Sequence, residues 1–259
     1  MSKIQVLVST MDSDFYLHHR MNTLDSIIIN QTESISEEVV RKDHTVYYSY
    51  NEKGLSVSRN RALKHSDGEI CIISDDDVKF VDRYQEKIIQ AYKEHPQADV
   101  IAFQVSRSGG GRSKEFGSSF KRLNQLTIMR VSSVEITFKR ESIIKNNIKF
   151  NTRFGAGAKY RMGEENLFLS ECIKKGLKIY YVPIKIGEVD MSTSSWFNGY
   201  ATKYFEDKGA FFKAYSPYLW PLLNLQFLLR KWKMLDNNVF LFIARLLIMT
   251  RGSIKYKIR

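Results

Sequence analysis

The stretch that most constrains this chain lies at residues 68–79 and reads GEICIISDDDVK. A short apolar run ends abruptly at three consecutive acids, Asp75, Asp76 and Asp77. This pattern is typical of a buried strand that delivers carboxylates to the edge of a sheet. Adjacent like charges repel one another, so the site needs a cation or hydrogen-bond donors to neutralise them.

Carboxylates in such a position are typical ligands of a hard divalent metal. Magnesium or manganese, completed by water and phosphate oxygens, suits the site better than zinc, which prefers nitrogen and sulfur. The alternative is an acidic loop that caps a helix expected from about Val81, because Asp is a good N-cap. Capping requires one Asp and not three, so the sequence favours a metal site.

Strand and helix patterns alternate along the chain. Strands are predicted at residues 3–9, 26–30, 45–50, from 69 to the acids, and at 99–105, 134–138 and 179–182. Helices are predicted at 54–67, 81–93, 140–145 and 164–176. The alternation predicts an α/β fold with a doubly wound, mainly parallel, Rossmann-like sheet. Such sheets bind ligands at the carboxyl ends of their strands, which places Thr10, Asn30 and the three aspartates on one rim.

Length and charge limit the classes of protein that fit. The 259 residues allow one large α/β domain, or one domain with an appendage. The formal charge of +12 indicates an anionic partner, which could be nucleic acid, an acidic membrane or a phosphorylated substrate. Most of the excess lies from Tyr200 onward, where eleven Lys and Arg face three acids.

The cysteines and the N-terminus indicate the compartment. Cys71 and Cys172 have no spacing suited to zinc or to a redox pair, so we expect both to be buried in a reducing environment. The N-terminal residues enter a strand at once, without an apolar region long enough for a signal peptide. The catalytic part is therefore expected to be cytoplasmic.

A second acidic pair, Glu164 and Glu165, opens an amphipathic helix after a loop that contains Gly155 and Gly157. The two glycines allow close approach of the backbone. The acids could compensate the helix dipole, an effect of at most about 1 kcal/mol, or supply a general base at the floor of the cleft. The residues alone leave these two interpretations nearly even.

Four features occur in a fixed order: the strand VLVST, the segment GLSVSRNRAL, the acidic ISDDDV and the later GEENLF. In this order they resemble family 2 glycosyltransferases of the GT-A fold, in particular bacterial enzymes that build capsular and other surface polysaccharides. The DXD motif alone is weak, whereas the ordered set is specific and covers about residues 4–196. The resemblance implies a catalytic domain over 1–196, with a donor half up to about 105 and an acceptor half over 106–196. A helical, basic extension would follow over 197–259.

The resemblance also implies the reaction and the donor site. Such enzymes transfer a sugar from a nucleoside diphosphate sugar, usually a UDP-sugar, with inversion and with Mn²⁺ or Mg²⁺. Asp77 matches the direct metal ligand and Asp75 a second one, while Asp75 or Asp76 would contact the ribose or the sugar of the donor. Arg59 matches the basic position that contacts the nucleotide. Thr10 and Asn30 lie where the nucleoside would bind.

The same resemblance assigns the base and the acceptor region. Glu165 falls on the catalytic base, where the family more often has Asp, with Glu164 as the alternative. Four residues would line the acceptor region: Gly155, Gly157, Ser195 and Trp196. The family often supplies a later histidine to the metal, but every histidine here lies at or before His95, so water or donor phosphate would complete the coordination.

The C-terminal part is rich in apolar residues with basic flanks, over 218–229 and 239–250. Neither run reaches the roughly twenty apolar residues of a spanning helix. Short apolar helices of this kind fit a peripheral anchor on an anionic membrane surface, which would suit a lipid-linked acceptor. The alternative is a helical pair packed on the catalytic domain or on a second subunit of a homo-oligomer.

Two other functions share some of these features. A metal-dependent nucleotidyltransferase would also use carboxylates on a nucleotide-binding sheet, but it usually has a glycine-rich basic loop after the first strand, which VSTMDSDF is not. A basic nucleic-acid binding protein fits the charge, but no RNP, zinc or helix-turn-helix signature is present. No nucleic-acid partner is therefore expected.

Overall fold

A computed structural model describes residues 3–13, 17–21, 23–33, 37–108, 117–190 and 201–258. Two of the predicted acceptor residues, Ser195 and Trp196, lie outside these ranges. Within them the strands are β1 Ile4–Met11, β2 Ser26–Gln31, β3 Glu37–Lys42, β4 Thr45–Tyr50, β5 Ile70–Asp75, β6 Val78–Phe80, β7 Val100–Ser108, β8 Lys121–Arg122, β9 Ile136–Lys139 and β10 Ile179–Asp190. The α-helices are α1 Leu17–Met21, α2 Leu55–His65, α3 Tyr84–Glu94, α4 Arg140–Lys145, α5 Glu164–Lys174, α6 Thr202–Tyr215, α7 Trp220–Arg230 and α8 Val239–Lys255.

The strands form one sheet in the order β3-β4-β2-β1-β5-β9-β7-β10-β6, with β8 paired to β10. The block β4-β2-β1-β5 is parallel, and β7 and β10 are also parallel. The central strands carry apolar residues on both faces because helices cover both sides of the sheet, as in other doubly wound folds. The predicted α/β class and mainly parallel sheet are confirmed.

The register of the parallel block brings the predicted donor residues together. Thr10 pairs with Asn30 across β1 and β2, and Ser9 pairs with Asp75 across β1 and β5. All three strands end at this edge. The rim expected from the sequence is therefore present in the structure.

Several elements differ from the sequence-based predictions. The short strand β9 runs antiparallel between β5 and β7, and β3 forms an antiparallel hairpin with β4. The predicted strand at 134–138 begins as a 3-10 turn and continues as β9, while α3 begins three residues later than predicted. The strand predicted at 179–182 extends as β10 to Asp190, with register shifts that accommodate Pro183.

The C-terminal helices α6 to α8 pack on the catalytic part through one continuous hydrophobic core. This core joins sheet residues such as Leu7 to Phe211 of α6, Leu228 of α7 and Met249 of α8. Both cysteines are buried and unpaired, as predicted. In the part of the chain that the structure describes, no helix has the length and apolar character needed to span a bilayer.

Candidate active site

The first part of the site lies at the ends of β1, β2 and β5. The Thr10 hydroxyl donates a hydrogen bond of 2.5 Å to Oδ2 of Asp76 and so orients that exposed carboxylate. The Asn30 side chain accepts a hydrogen bond from the Ser13 amide at 3.1 Å and donates to the Ser13 carbonyl at 3.3 Å. Asn30 therefore closes the turn after β1 and lies, as predicted, beside the strand ends.

The centre of the site is Arg59, on α2. Its side chain is 0% exposed, its Nη1 donates to Oε1 of Glu164 at 2.9 Å, and its Nη2 donates to Oδ1 of Asp75 at 3.0 Å. Burial lowers the pKa of Arg59, but the surrounding carboxylates raise it by more, so the guanidinium remains charged. The Nε atom has no hydrogen-bond partner among the described residues.

This geometry changes the role expected for Arg59. The sequence predicted contact with the nucleotide, but both terminal nitrogens are bonded to carboxylates and no part of the side chain is exposed. A fully buried cation needs such partners, because an uncompensated charge in the protein interior is costly. Arg59 is therefore placed to join two acids rather than to contact a diphosphate directly.

The structure separates the two glutamates that the sequence left open. Glu164 is buried and bonded to Arg59, whereas Glu165 is only partly buried. Consecutive residues of a helix point about 100° apart, so one acid can face the core while the next faces the cleft. Glu165 also lies close enough to Arg59 to raise its pKa.

The third acid of the run, Asp77, has a perturbed carboxylate. Burial, together with the negative charges of Asp75, Asp76 and Asp190, raises its pKa to about 6. Asp190 comes from the end of β10, where Val189 pairs with Val78, the residue after Asp77. Sequence reasoning missed Asp190 because the predicted strand ended at 182; a longer strand would have placed this acid at the sheet edge.

The donor set at this rim suits a hard divalent cation. Its atoms are carboxylate oxygens, which Mg²⁺ and Mn²⁺ prefer. No cluster of three or more His, Cys, Asp or Glu within the described ranges has the geometry to hold a metal by itself. A metal at this rim would take one or two of these carboxylates as ligands, with water and phosphate oxygens as the others.

The loop before α5 is shaped by Gly155 and Gly157. Gly155 has φ +105, and a Cβ there would lie 3.3 Å from Cγ and Cδ of Glu164. Gly157 has φ +74, and a Cβ would lie 3.2 Å from the Gly54 backbone at the start of α2. The positive φ values favour glycine at both positions, and a Cβ at either one would press on these neighbours by a few tenths of an ångström. The loop thus lies directly against Glu164 and the N-terminus of α2.

The family model described as Glycosyl transferase family 2 matches residues 27–166, more than half of the chain. The matched region includes Arg59, the three aspartates and both glutamates. The chain belongs to glycosyl transferase family 2, and the protein is a glycosyltransferase.

Solved structures of Staphylococcus aureus TarS have a similar fold. TarS 1-349 in complex with UDP-GlcNAc superposes with a TM-score of 0.67 at 15% identity, covering 97% of this chain and 81% of that one. TarS 1-349 in complex with UDP gives 0.64 at 15% identity over 92% and 74%. The structure titled S. aureus TarS gives 0.62 at 14% identity over 98% and 55%. A comparison with curated proteins found no significant match.

Proposed function

We propose that this glycosyltransferase moves a sugar from a nucleoside diphosphate sugar, with UDP as the nucleotide, to a hydroxyl group of a saccharide, with inversion at the anomeric carbon. The observation that carries the proposal is the Arg59 bridge. One buried guanidinium joins Asp75, at the end of the acidic strand, to Glu164, at the start of α5. It ties the donor side of the site to the helix that carries Glu165.

The donor would bind at the ends of β1, β2 and β5. In this proposal Thr10 and Asn30 would face the nucleoside, and Asp75 and Asp76 would face the ribose or the sugar. UDP as the nucleotide is supported by TarS, which shares the fold and binds UDP-GlcNAc and UDP.

Asp77, with Asp75, would hold Mg²⁺ or Mn²⁺. When bound, such a cation supplies positive charge next to the diphosphate oxygens. Asp77 must lose its proton to act as a ligand, and burial together with the neighbouring acids raises its pKa. The oxygen donor set favours these two metals over zinc.

Glu165 is the candidate general base. In this assignment it takes the proton from the acceptor hydroxyl as that oxygen attacks the anomeric carbon. The bond from this carbon to the diphosphate oxygen breaks on the opposite face, and its electron pair leaves with the diphosphate. A single in-line displacement inverts the configuration. Glu164, with its carboxylate bonded to Arg59, would hold the helix terminus in place instead of taking the proton.

We also propose that the acceptor is a lipid-linked bacterial surface polysaccharide, such as a capsular one, and that the enzyme acts from the cytoplasmic face of the membrane. The support is the outer surface of the C-terminal helices. On α8, Phe240, Ile243 and Leu247 lie at helical spacing and are all exposed, with Phe240 84% and Leu247 65% exposed. Residues 216–259 contain eight Lys and Arg and one acid, Asp236, so the surface is complementary to anionic lipids.

A turnover assay tests the proposed chemistry. Purified protein is incubated with UDP-sugars, Mn²⁺ and short saccharide acceptors, and the released nucleotide is identified. Release of UDP that depends on both metal and acceptor supports a glycosyltransferase with this donor. Release of pyrophosphate would instead indicate nucleotidyl transfer, and the absence of any turnover across donors would contradict the proposal.

A further inference from the structure

The segment 151–163, here called the glycine loop, leads directly into α5 and therefore carries Glu164 and Glu165 at its end. The loop closes on itself through hydrogen bonds from the Gly155 amide to the Tyr160 carbonyl at 2.9 Å and from the Tyr160 amide to the Arg153 carbonyl at 3.0 Å. Its conformation therefore helps to set where the helix begins.

One side of the glycine loop rests on the N-terminus of α2. The Ser56 hydroxyl donates to the Phe154 carbonyl at 2.7 Å, and the Leu55 amide donates to the Ala156 carbonyl at 2.9 Å. These bonds come from the helix that also carries Arg59. They fix the inner edge of the loop against the catalytic part.

The opposite side of the loop is held by the C-terminal end of the chain. Arg153 donates through Nη2 to the Tyr256 hydroxyl and through Nη1 to the Lys257 carbonyl, the latter at 2.7 Å. Its Cζ lies 4.2 Å from the centre of the Tyr256 ring, a cation–π arrangement. The same ring packs against Phe154 at 5.4 Å and against Tyr160 at 5.7 Å between centroids.

Tyr256 is itself held firmly by α6 and α8. A Cβ on Gly252 would lie 2.0 Å from the Glu206 carbonyl oxygen, so the two helices touch backbone to backbone. α6 also contacts the loop directly, because the Arg161 amide donates to Oδ2 of the buried Asp207 at 3.1 Å. The glycine loop is thus in contact with α6 through Asp207 and with the end of α8 through Tyr256.

We propose that Tyr256 is a positioning residue for catalysis: through Arg153 and Phe154 it holds the glycine loop, and with it the Glu165 carboxylate, in the reactive arrangement. The proposal rests on the proposed function for its catalytic part. It assigns to the C-terminal helices a role in completing the active site, in addition to any role at a membrane. Displacement of a base by about 1 Å can lower a rate by about 100-fold without a change in binding.

The test compares two buried tyrosines with equal exposure, Tyr256 and Tyr92, each 5% exposed and each with a hydrogen-bonded hydroxyl. Tyr256→Phe removes the acceptor of the Arg153 bond, whereas Tyr92→Phe removes a comparable hydrogen bond between Tyr92 on α3 and Thr137 on β9. A second pair of chains ends at Lys255 or at Ile258. The readouts are kcat, the KM for the donor, and hydrogen exchange of residues 151–163.

Tyr256→Phe is expected to lower kcat about tenfold, and the chain that ends at Lys255 about 100-fold. The KM for the donor should stay within twofold, and exchange of residues 151–163 should rise at least fivefold. Tyr92→Phe and the chain that ends at Ile258 should match the wild type in kcat and in loop exchange.

The proposal is overturned if Tyr256→Phe and the chain that ends at Lys255 both keep the wild-type kcat, or if loop exchange does not rise. It is also overturned if Tyr92→Phe lowers kcat as much, since the effect would then be general destabilisation. If the wild type turns over no nucleotide sugar at all, the proposed function fails. Hydrogen exchange of residues 151–163 in Tyr256→Phe still decides whether Tyr256 holds the loop: a rise supports this contact, and no rise overturns it.

Discussion

Arg59 is the residue on which the arrangement of the site depends most. Its charge compensates two carboxylates that would otherwise repel each other inside the protein, and those carboxylates in turn make its own burial tolerable. Mutual compensation of this kind fixes the relative positions of β5 and α5. The proposed donor site on β5 and the candidate base on α5 are thereby held at a fixed distance from each other.

The two glutamates should respond differently to substitution. Glu165→Gln is expected to lower turnover by at least about 100-fold because it removes the candidate base, and to cost less stability than Glu164→Gln because Glu165 is less deeply buried. Glu164→Gln leaves the Arg59 charge with one carboxylate fewer and should lower the free energy of unfolding by about 2 kcal/mol. Turnover and urea unfolding of both variants check this. A stable Glu164→Gln protein without activity, beside an active Glu165→Gln, would reverse the assignment.

Asp77 should give the metal response a pH dependence. Burial and nearby acids raise the pKa of Asp77 from 3.8 to about 6, so protons compete with the metal below about pH 6. The rise in Tm caused by Mn²⁺ in the presence of UDP should therefore grow between pH 5 and pH 7.5.

The raised pKa of Asp77 has the opposite effect on the stability of the metal-free protein, which should fall as the pH rises. The folded state binds the Asp77 proton more tightly than the unfolded state, so stability contributed by the protonated group is lost as pH rises through about 6. Asp77→Asn should remove both effects. Equal Mn²⁺ shifts at pH 5 and pH 7.5 would show that Asp77 is not the ligand.

For individual residues, the sequence predicted which side chains lie together but not the role or the burial of each one. The strand ends of β1, β2 and β5 follow from local patterns, so Thr10, Asn30 and the aspartates could be placed on one rim. The burial of Arg59 depends on α5, which lies more than one hundred residues later in the sequence. No pattern in the residues around Arg59 could therefore predict this burial. The choice between Glu164 and Glu165 likewise depends on which face of α5 meets the core.

Among the elements, α6 and α8 pack backbone to backbone. A Cβ at Gly252 would lie 2.0 Å from the Glu206 carbonyl oxygen, so Gly252→Ala forces the helices apart. We expect a loss of about 3 kcal/mol in unfolding free energy, the upper range for overpacking. Gly176→Ala is the control, since its Cβ meets nothing within 4 Å and only the φ of +83 opposes it.

Thermal and urea unfolding compare the two variants. Gly176→Ala should cost about 1 kcal/mol, the penalty for a left-handed conformation without a clash. A Gly252→Ala protein as stable as Gly176→Ala would mean that α6 and α8 separate easily. The C-terminal helices would then be less able to hold the glycine loop.

Some helices and strands could be predicted from the sequence and others could not. The runs that form β2 and β5 are apolar and bounded by turns, so they were predicted at nearly the right residues. β3 is an edge strand with four charged residues, Glu37, Glu38, Arg41 and Lys42. Because it lacks a clear apolar pattern, the sequence did not predict it. The insertion of β9 between β5 and β7 joins segments far apart in sequence, and periodicity cannot reveal such pairings.

For the whole molecule, the outer surface of the C-terminal helices predicts attachment to anionic membranes. Phe240→Asp with Leu247→Asp should reduce flotation with phosphatidylglycerol vesicles at least tenfold, because both side chains lie on the exposed face of α8. Leu24→Asp is the control, because Leu24 is an apolar residue about as exposed as Leu247 and lies just before β2, outside the C-terminal helices. Binding should weaken with salt, because part of the attraction is electrostatic.

Unchanged flotation of the double variant would exclude this surface as the membrane contact. Equal association with uncharged vesicles would exclude the role assigned to the basic residues. A shift to monomers in the double variant, without vesicle binding by the wild type, would indicate instead that the exposed face joins two copies of the chain.

The central claim is a metal-assisted site for a nucleoside diphosphate at the rim of the sheet. The most direct measurement is the Tm of the wild type with UDP and Mn²⁺ together, and with each alone, because a ligand that binds only the folded state must raise its stability. We predict a clear rise only with both, and none in Asp77→Asn. Folded protein whose Tm does not respond to UDP or to any other nucleoside diphosphate with Mn²⁺ would contradict the account.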